Sequence, residues 1–146
     1  MSAIIRVKRL RPDARLPQRA TPGATGFDLY ACLGESRTLE VGPDPLLVPT
    51  GIAIEAPPGF DVQVRPRSGL SLQGVQVTFG TIDADYRGEV LVTMYTVGSA
   101  RSYSVSHGER IAQLVVSQLA AVELAEVAEL STTVRGGAGH GSTGRS

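Results

Sequence analysis

Apolar and polar residues alternate with period two along most of this 146-residue chain, and no other feature narrows its possible folds so far. The alternation runs through "AIIRVKRL" (3–10), "GIAIEA" (51–56), "FDVQVRP" (60–66), "EVLVTMYTV" (89–97) and "RIAQLVVSQ" (110–118). Successive side chains of a strand point to opposite faces, so the pattern suits strands with one face buried and the other wet. Between the runs stand "TPGATG", "VGPDP", "APPG", "VGSARS" and "SHGE", clusters whose glycines and prolines turn the chain. Short strands joined by such turns predict an all-β fold, an antiparallel sandwich or barrel. Only "LAAVELAEVAEL" (119–130) resists: it is rich in helix formers, yet its apolar residues follow neither period, and it reads as extended.

The length suits one domain with a real core. Residues 1–10 lack the apolar centre of a signal peptide, and no apolar run approaches the ~20 residues of a spanning helix. Cys32 is the only cysteine, which excludes an internal disulfide and a zinc cluster and leads us to expect a cytoplasmic protein without a membrane partner. Zero net charge argues against stable nucleic-acid binding over a broad surface. Lys8 is the only lysine, so nearly all the positive charge is arginine, whose planar fork suits phosphate and carboxylate.

Four stretches carry candidate chemistry. In "GTIDADYRGEV" (80–90), Asp83 and Asp85 flank Ala84, so on a strand they would share one face and Tyr86 would take the other. "RPRSGLS" (65–71) packs arginines, serines and a glycine at the exit of an apolar strand, a combination able to cradle phosphate. "ATGFDLYA" (24–31) sets Asp28 at the start of a strand after a glycine-rich turn. "HGERIAQLVV" (107–116) sets Gln113 among apolar residues, where its amide must find a partner in backbone or ligand. Singly, each stretch also suits an ordinary turn or strand end.

Together with "RGGAGHGSTG" (135–144), these stretches resemble the five ordered motifs of the trimeric dUTPases, over nearly the whole chain. The resemblance implies a jelly-roll-type β-barrel (residues 1–133) with a flexible C-terminal arm (134–146) that closes the active site. It implies hydrolysis of dUTP to dUMP and pyrophosphate, which limits uracil in DNA and supplies dUMP for thymidylate synthesis, by a homotrimer with shared sites. Asp83 matches the catalytic carboxylate that activates water, and Mg²⁺ is the implied cofactor, with Asp28 touching it through water. Arg67, Ser68, Gly69 and Gln113 match phosphate contacts, and Tyr86 matches the aromatic floor beneath the deoxyribose. The hairpin leading into Asp83, Thr78 included, would read uracil through its backbone. Here the sequence departs from the family: "VTFGTID" is shorter than the usual connection, with Thr78 and Phe79 in it.

In the arm, Arg135 would meet the γ-phosphate, His140 would lie over uracil, and Gly141, Ser142 and Thr143 would add donors. Ala138 stands where glycine is usual, which costs about 1 kcal/mol if the position needs positive φ. Two other readings stay open: a dCTP deaminase-like enzyme of the same fold, or a non-catalytic nucleotide-binding regulator. Deamination would need a glutamate base where the chain has Thr93.

Overall fold

The computed structural model describes residues 2–141. Among the described residues, ten strands and one short helix follow in the order β1 (Arg6–Arg9), β2 (Phe27–Tyr30), β3 (Thr38–Val41), β4 (Leu46–Glu55), β5 (Phe60–Arg65), α1 (Ser68–Leu72), β6 (Val75–Val77), β7 (Gly80–Ile82), β8 (Glu89–Thr96), β9 (Tyr103–Ser106) and β10 (Arg110–Gln118). Two four-stranded antiparallel sheets, β1-β4-β8-β6 and β2-β10-β5-β7, are joined by a two-stranded ribbon β3-β9. One apolar core draws on both large sheets, through Val48, Ile52, Val92 and Met94 on one side and Leu29, Val62, Ile111 and Leu114 on the other. The sheets therefore pack face to face as a jelly roll. Among the described residues no ladder joins them into a closed ring, so the barrel is closed by side chains.

The alternation explains the burial. In β8, Val90, Val92, Met94 and Thr96 are buried while the residues between them face outward. Each fully buried Val or Met contributes about 1.5–3 kcal/mol relative to exposure. β4 departs from the rule over Thr50–Ile54, which is buried without a break. Its pairing with β8 shifts there: Pro49 faces Leu91, then Ala53 faces Glu89, so the intervening residues bulge. Gly51 takes φ +71 in that bulge, and a Cβ on it would meet Ala14 Cβ at 2.8 Å and Cys32 Sγ at 2.9 Å.

Several expectations are corrected here. The first strand is an exposed edge of four residues, shorter than 3–10. Residues 68–72, expected to continue from a strand exit, close one helical turn. Asp83 and Asp85 do not share the face of a strand, because β7 ends at Ile82 and a turn follows, closed by the Tyr86 N–H donating to Asp83 O at 3.0 Å. Residues 119–130, read as extended, carry neither helix nor strand and are exposed throughout. Ala138 has no positive φ; among the described arm residues that conformation falls on Gly136, His140 and Gly141.

Candidate active site

The first cluster lies where β2, β5 and β10 end together. β10 is the central strand: Gln113 pairs with Asp28 of β2 on one side and with Arg65 of β5 on the other. This register brings motifs far apart in sequence to one end of the sheet. Gln113 Nε2 donates to Pro66 O at 3.0 Å, which identifies the partner its half-buried amide needs and leaves its Oε1 facing Gly26. Asp28 lies between two guanidiniums, 3.6 Å from Arg67 Nε and 3.7 Å from Arg110 Nη1. A cavity of about 220 Å³ opens against these groups, lined by Thr25, Gly26, Asp28, Arg67, Ser68, Gly69 and Gln113 among others. A Cβ on Gly69 would meet nothing, so no crowding requires that glycine.

Arg110 escaped the sequence reading, since its partner Asp28 lies on another strand. Arg15 and Arg19 escaped it too; they stack on Tyr30 and Phe27 at 4.2 and 4.4 Å and line a neighbouring cavity with Arg110 and Asp28. The signal available was the near-exclusive use of arginine.

The second cluster is the β7–β8 connection, which passes from one large sheet to the other. A cavity of about 210 Å³ is lined by Val64, Gly80, Thr81, Ile82, Asp83, Tyr86, Glu89, Val90 and Leu91. Asp83 is exposed at its rim. The Tyr86 hydroxyl donates to Glu89 O at 2.7 Å, and its ring crosses over Gly88, where a Cβ would meet the hydroxyl oxygen at 2.4 Å. Thr78 is not among the lining residues; its N–H donates to Thr93 O at 3.0 Å, and with Phe79 it forms the two-residue link from β6 to β7. Thr93 offers no carboxylate, so a deaminase has no base at that position.

The two clusters stand apart within one chain. Ile82 pairs with Val62, so Asp83 leaves the sheet at the Phe60 end of β5, whereas Arg67 follows the Arg65 end. Five strand residues separate the levels, roughly 17 Å at about 3.4 Å each. Among the described residues of the arm none lines either cavity: Arg135 Nε donates to Ala138 O at 2.6 Å in a local turn, and His140 and Gly141 are exposed. Ser142 and Thr143 lie outside the described residues.

The donor set at Asp28 fits a cation held through water. One carboxylate faces an open polar cavity beside two arginines, so a cation would be held there together with a polyanion that offsets the arginine charge. Among the described residues one other group offers metal-type ligands, Asp13, Cys32 and His107. Leu33 N–H donates to His107 Nδ1 at 3.1 Å, so the neutral ring carries its proton on Nε2, which faces Asp13. That arrangement suits a hydrogen-bonded cluster better than a metal. Arg11 packs over it, and its pKa is raised, first by the hydrogen bond to Cys32 and then by Glu89 and Asp13. Tyr103 is the other shifted group: burial, then its hydrogen bond to the Glu109 carboxylate, pushes its hydroxyl up to about 12.

The fold defines the class first, an all-β domain of the dUTPase-like jelly-roll type. A point mutant of the Staphylococcus bacteriophage 80alpha dUTPase, solved with dUpNHpp, superposes with a TM-score of 0.84 at 26% identity, covering 99% of this chain and 100% of that one. The family model described as dUTPase matches residues 12–144. Deoxyuridine 5'-triphosphate nucleotidohydrolases of Wolinella succinogenes and Treponema pallidum are 49% and 48% identical, each over 97% of this chain and over 95% and 99% of their own. The chain belongs to the dUTPase family.

Proposed function

We propose that the protein hydrolyses dUTP to dUMP and pyrophosphate. The observation that carries the site assignment is the gathering of Asp28, Arg67, Ser68 and Gln113 around one polar cavity by the register of β10. A guanidinium fork, hydroxyls and an amide converge there on a mainly polar lining, the chemistry of a polyphosphate. In our reading Arg67, Ser68, Gly69 and Gln113 hold the phosphates, with Ser68 near the bridging oxygen that leaves. Asp83 orients a water and takes its proton as the water oxygen bonds to the α-phosphorus and the bond to the bridging oxygen breaks. Asp28 would hold Mg²⁺ through water, and the ion would supply neutralisation of the triphosphate charge.

Uracil and deoxyribose fit the second cavity, where backbone of Gly80–Ile82 meets the base and Tyr86 floors the sugar closely enough to exclude a 2′-hydroxyl. We assign residues 1–133 to the catalytic barrel and 134–146 to an arm bringing Arg135 to the γ-phosphate, His140 over the base, and Gly141, Ser142 and Thr143 as donors. Our reading is a homotrimer with shared sites; the separation of Asp83 and Arg67 supports sharing, because a second copy would supply one of the two. It is supported by the exposed apolar side chains of Leu119, Val122, Leu124, Leu130 and Val134, which another copy would cover. The free, buried Cys32 fits the reducing cytoplasm.

The test is pyrophosphate release with Mg²⁺ across dUTP, dCTP, dTTP and UTP. The expected result is turnover of dUTP far above the other three. Ammonia release from dCTP, or no turnover of any, would overturn the assignment.

A further inference from the structure

We propose that Arg11 and Glu89 form a positioning pair that sets the height of the Tyr86 floor and thereby the selectivity for deoxyribose. The inference rests on the sugar-binding role of Tyr86 given above. Glu89 opens β8, immediately after the connection that carries Asp83 and Tyr86. Its carboxylate Oε2 accepts two hydrogen bonds from separate parts of the fold, from Arg11 Nη2 at 3.0 Å and from Gly51 N–H at 2.8 Å. Gly51 belongs to the bulge of β4, where the ladder to β8 is interrupted, and Glu89 satisfies the amide the bulge leaves free.

Arg11 is fixed in turn. Its Nε donates to Cys32 Sγ at 3.4 Å and its Nη2 to Cys32 O at 3.2 Å, while Leu10 N–H donates to Gly51 O at 2.7 Å. The segment before β2, the bulge and the start of β8 are thus held on one carboxylate. Glu89's own carbonyl is the acceptor of the Tyr86 hydroxyl, at 2.7 Å. Because the ring also lies across Gly88, its height depends on where that carbonyl stands. Arg11 lines neither cavity, so its loss acts on the sugar floor through Glu89.

The experiment measures kcat/KM for dUTP and for UTP in the wild type, Arg11→Met, Arg11→Lys and Glu89→Gln. Glu55→Gln serves as control: it removes the exposed partner of Arg6 and of Arg87, 3.1 Å from each, and leaves the bonds of the Tyr86 hydroxyl and of the Glu89 carboxylate in place. Arg11→Met keeps the aliphatic packing, Arg11→Lys keeps the charge without the fork, and Glu89→Gln keeps the shape and an acceptor for Gly51. The expected dUTP/UTP ratio falls about tenfold in Arg11→Met and Glu89→Gln and less in Arg11→Lys, with dUTP turnover within about threefold of wild type in the two Arg11 variants, whose residue lines neither cavity. The Arg11→Met/Glu89→Gln double variant should lose no more selectivity than either single variant, since each removes the same interaction. Circular dichroism and melting identify any variant that fails to fold, and Arg11→Lys carries the test if one does. A selective wild type with an unmoved ratio in the folded variants, additive losses in the double variant, or an equal loss in the Glu55 control overturns the pair's role. A wild type that does not prefer dUTP overturns the tyrosine reading itself and the pair with it.

Discussion

Gly26→Ala is the smallest change expected to disable the phosphate cavity. Gly26 is buried two residues before Asp28, on the same face of the segment leading into β2. A Cβ there would stand 2.2 Å from Gln113 Oε1 and 2.9 Å from Gln113 Cβ. Rotating the glutamine relieves the first contact, at the cost of its bond to Pro66 O, worth about 1 kcal/mol. The second contact is with an atom fixed to the backbone, and carbons pack at about 3.5–4.0 Å, so β2 and β10 must part by roughly half an ångström. Such overpacking costs about 1–3 kcal/mol. The sum is roughly 2–4 kcal/mol, a fall in Tm of about 6–12 °C for a chain of this size.

The displaced strand carries Asp28 and the displaced side chain is Gln113, so kcat/KM for dUTP should fall at least about tenfold. Differential scanning calorimetry at fixed chain concentration and pyrophosphate release measure the two effects. Adding Gln113→Ala should recover part of the Tm, since it removes Oε1 but not Cβ, and none of the activity. An alanine at position 26 that leaves Tm within about 2 °C and kcat/KM unchanged would refute the crowding argument.

Three further outcomes are expected. Removing residues 134–146 should reduce dUTP turnover by at least about a hundredfold while sedimentation still gives a trimer, and full turnover in the truncation would reject the arm's role. Mixing Asp83→Asn chains with Arg67→Met chains, followed by subunit exchange, should restore part of the activity that each lacks alone; no recovery in proven mixed trimers would place each site within one chain. Tyr103 holds its proton more tightly in the folded state, up to about 12 against an ordinary 10.0, so its share of stability is full below pH 10 and drains as pH rises toward 12. Tyr103→Phe should remove that part of the alkaline decline in urea unfolding, and an identical decline in both proteins would deny the linkage.

Strands β5 and β8 were legible because period two is local information: each of these runs names its own buried face, as Val62 and Val64 do in β5. By contrast, β1 is exposed throughout and β4 is buried without a break over Thr50–Ile54. Gln113 announced that it needed a partner, but the Pro66 carbonyl lies on the neighbouring strand and only the register identifies it. Asp83, Ala84 and Asp85 misled because an alternating triplet between two strands looks like strand, while the Tyr86 N–H to Asp83 O bond that makes it a turn has no signature in residue type. Arg110 and Arg11 were illegible for the same reason as each other. Their meaning lies in the carboxylates of Asp28 and Glu89, which only the folded sheets bring within reach. The shared character of the site was implied by resemblance, and its physical ground appears only when Asp83 and Arg67 are seen at opposite ends of β5.

The most direct test of the central claim compares pyrophosphate release from dUTP by the wild type and by Asp83→Asn at saturating Mg²⁺. The asparagine keeps the size and turn geometry of the exposed side chain but cannot accept the water's proton. The account predicts equimolar dUMP and pyrophosphate from the wild type, a kcat at least about a hundredfold lower in Asp83→Asn, and nearly unchanged binding of a non-hydrolysable dUTP analogue. Equal rates for the two proteins would contradict it.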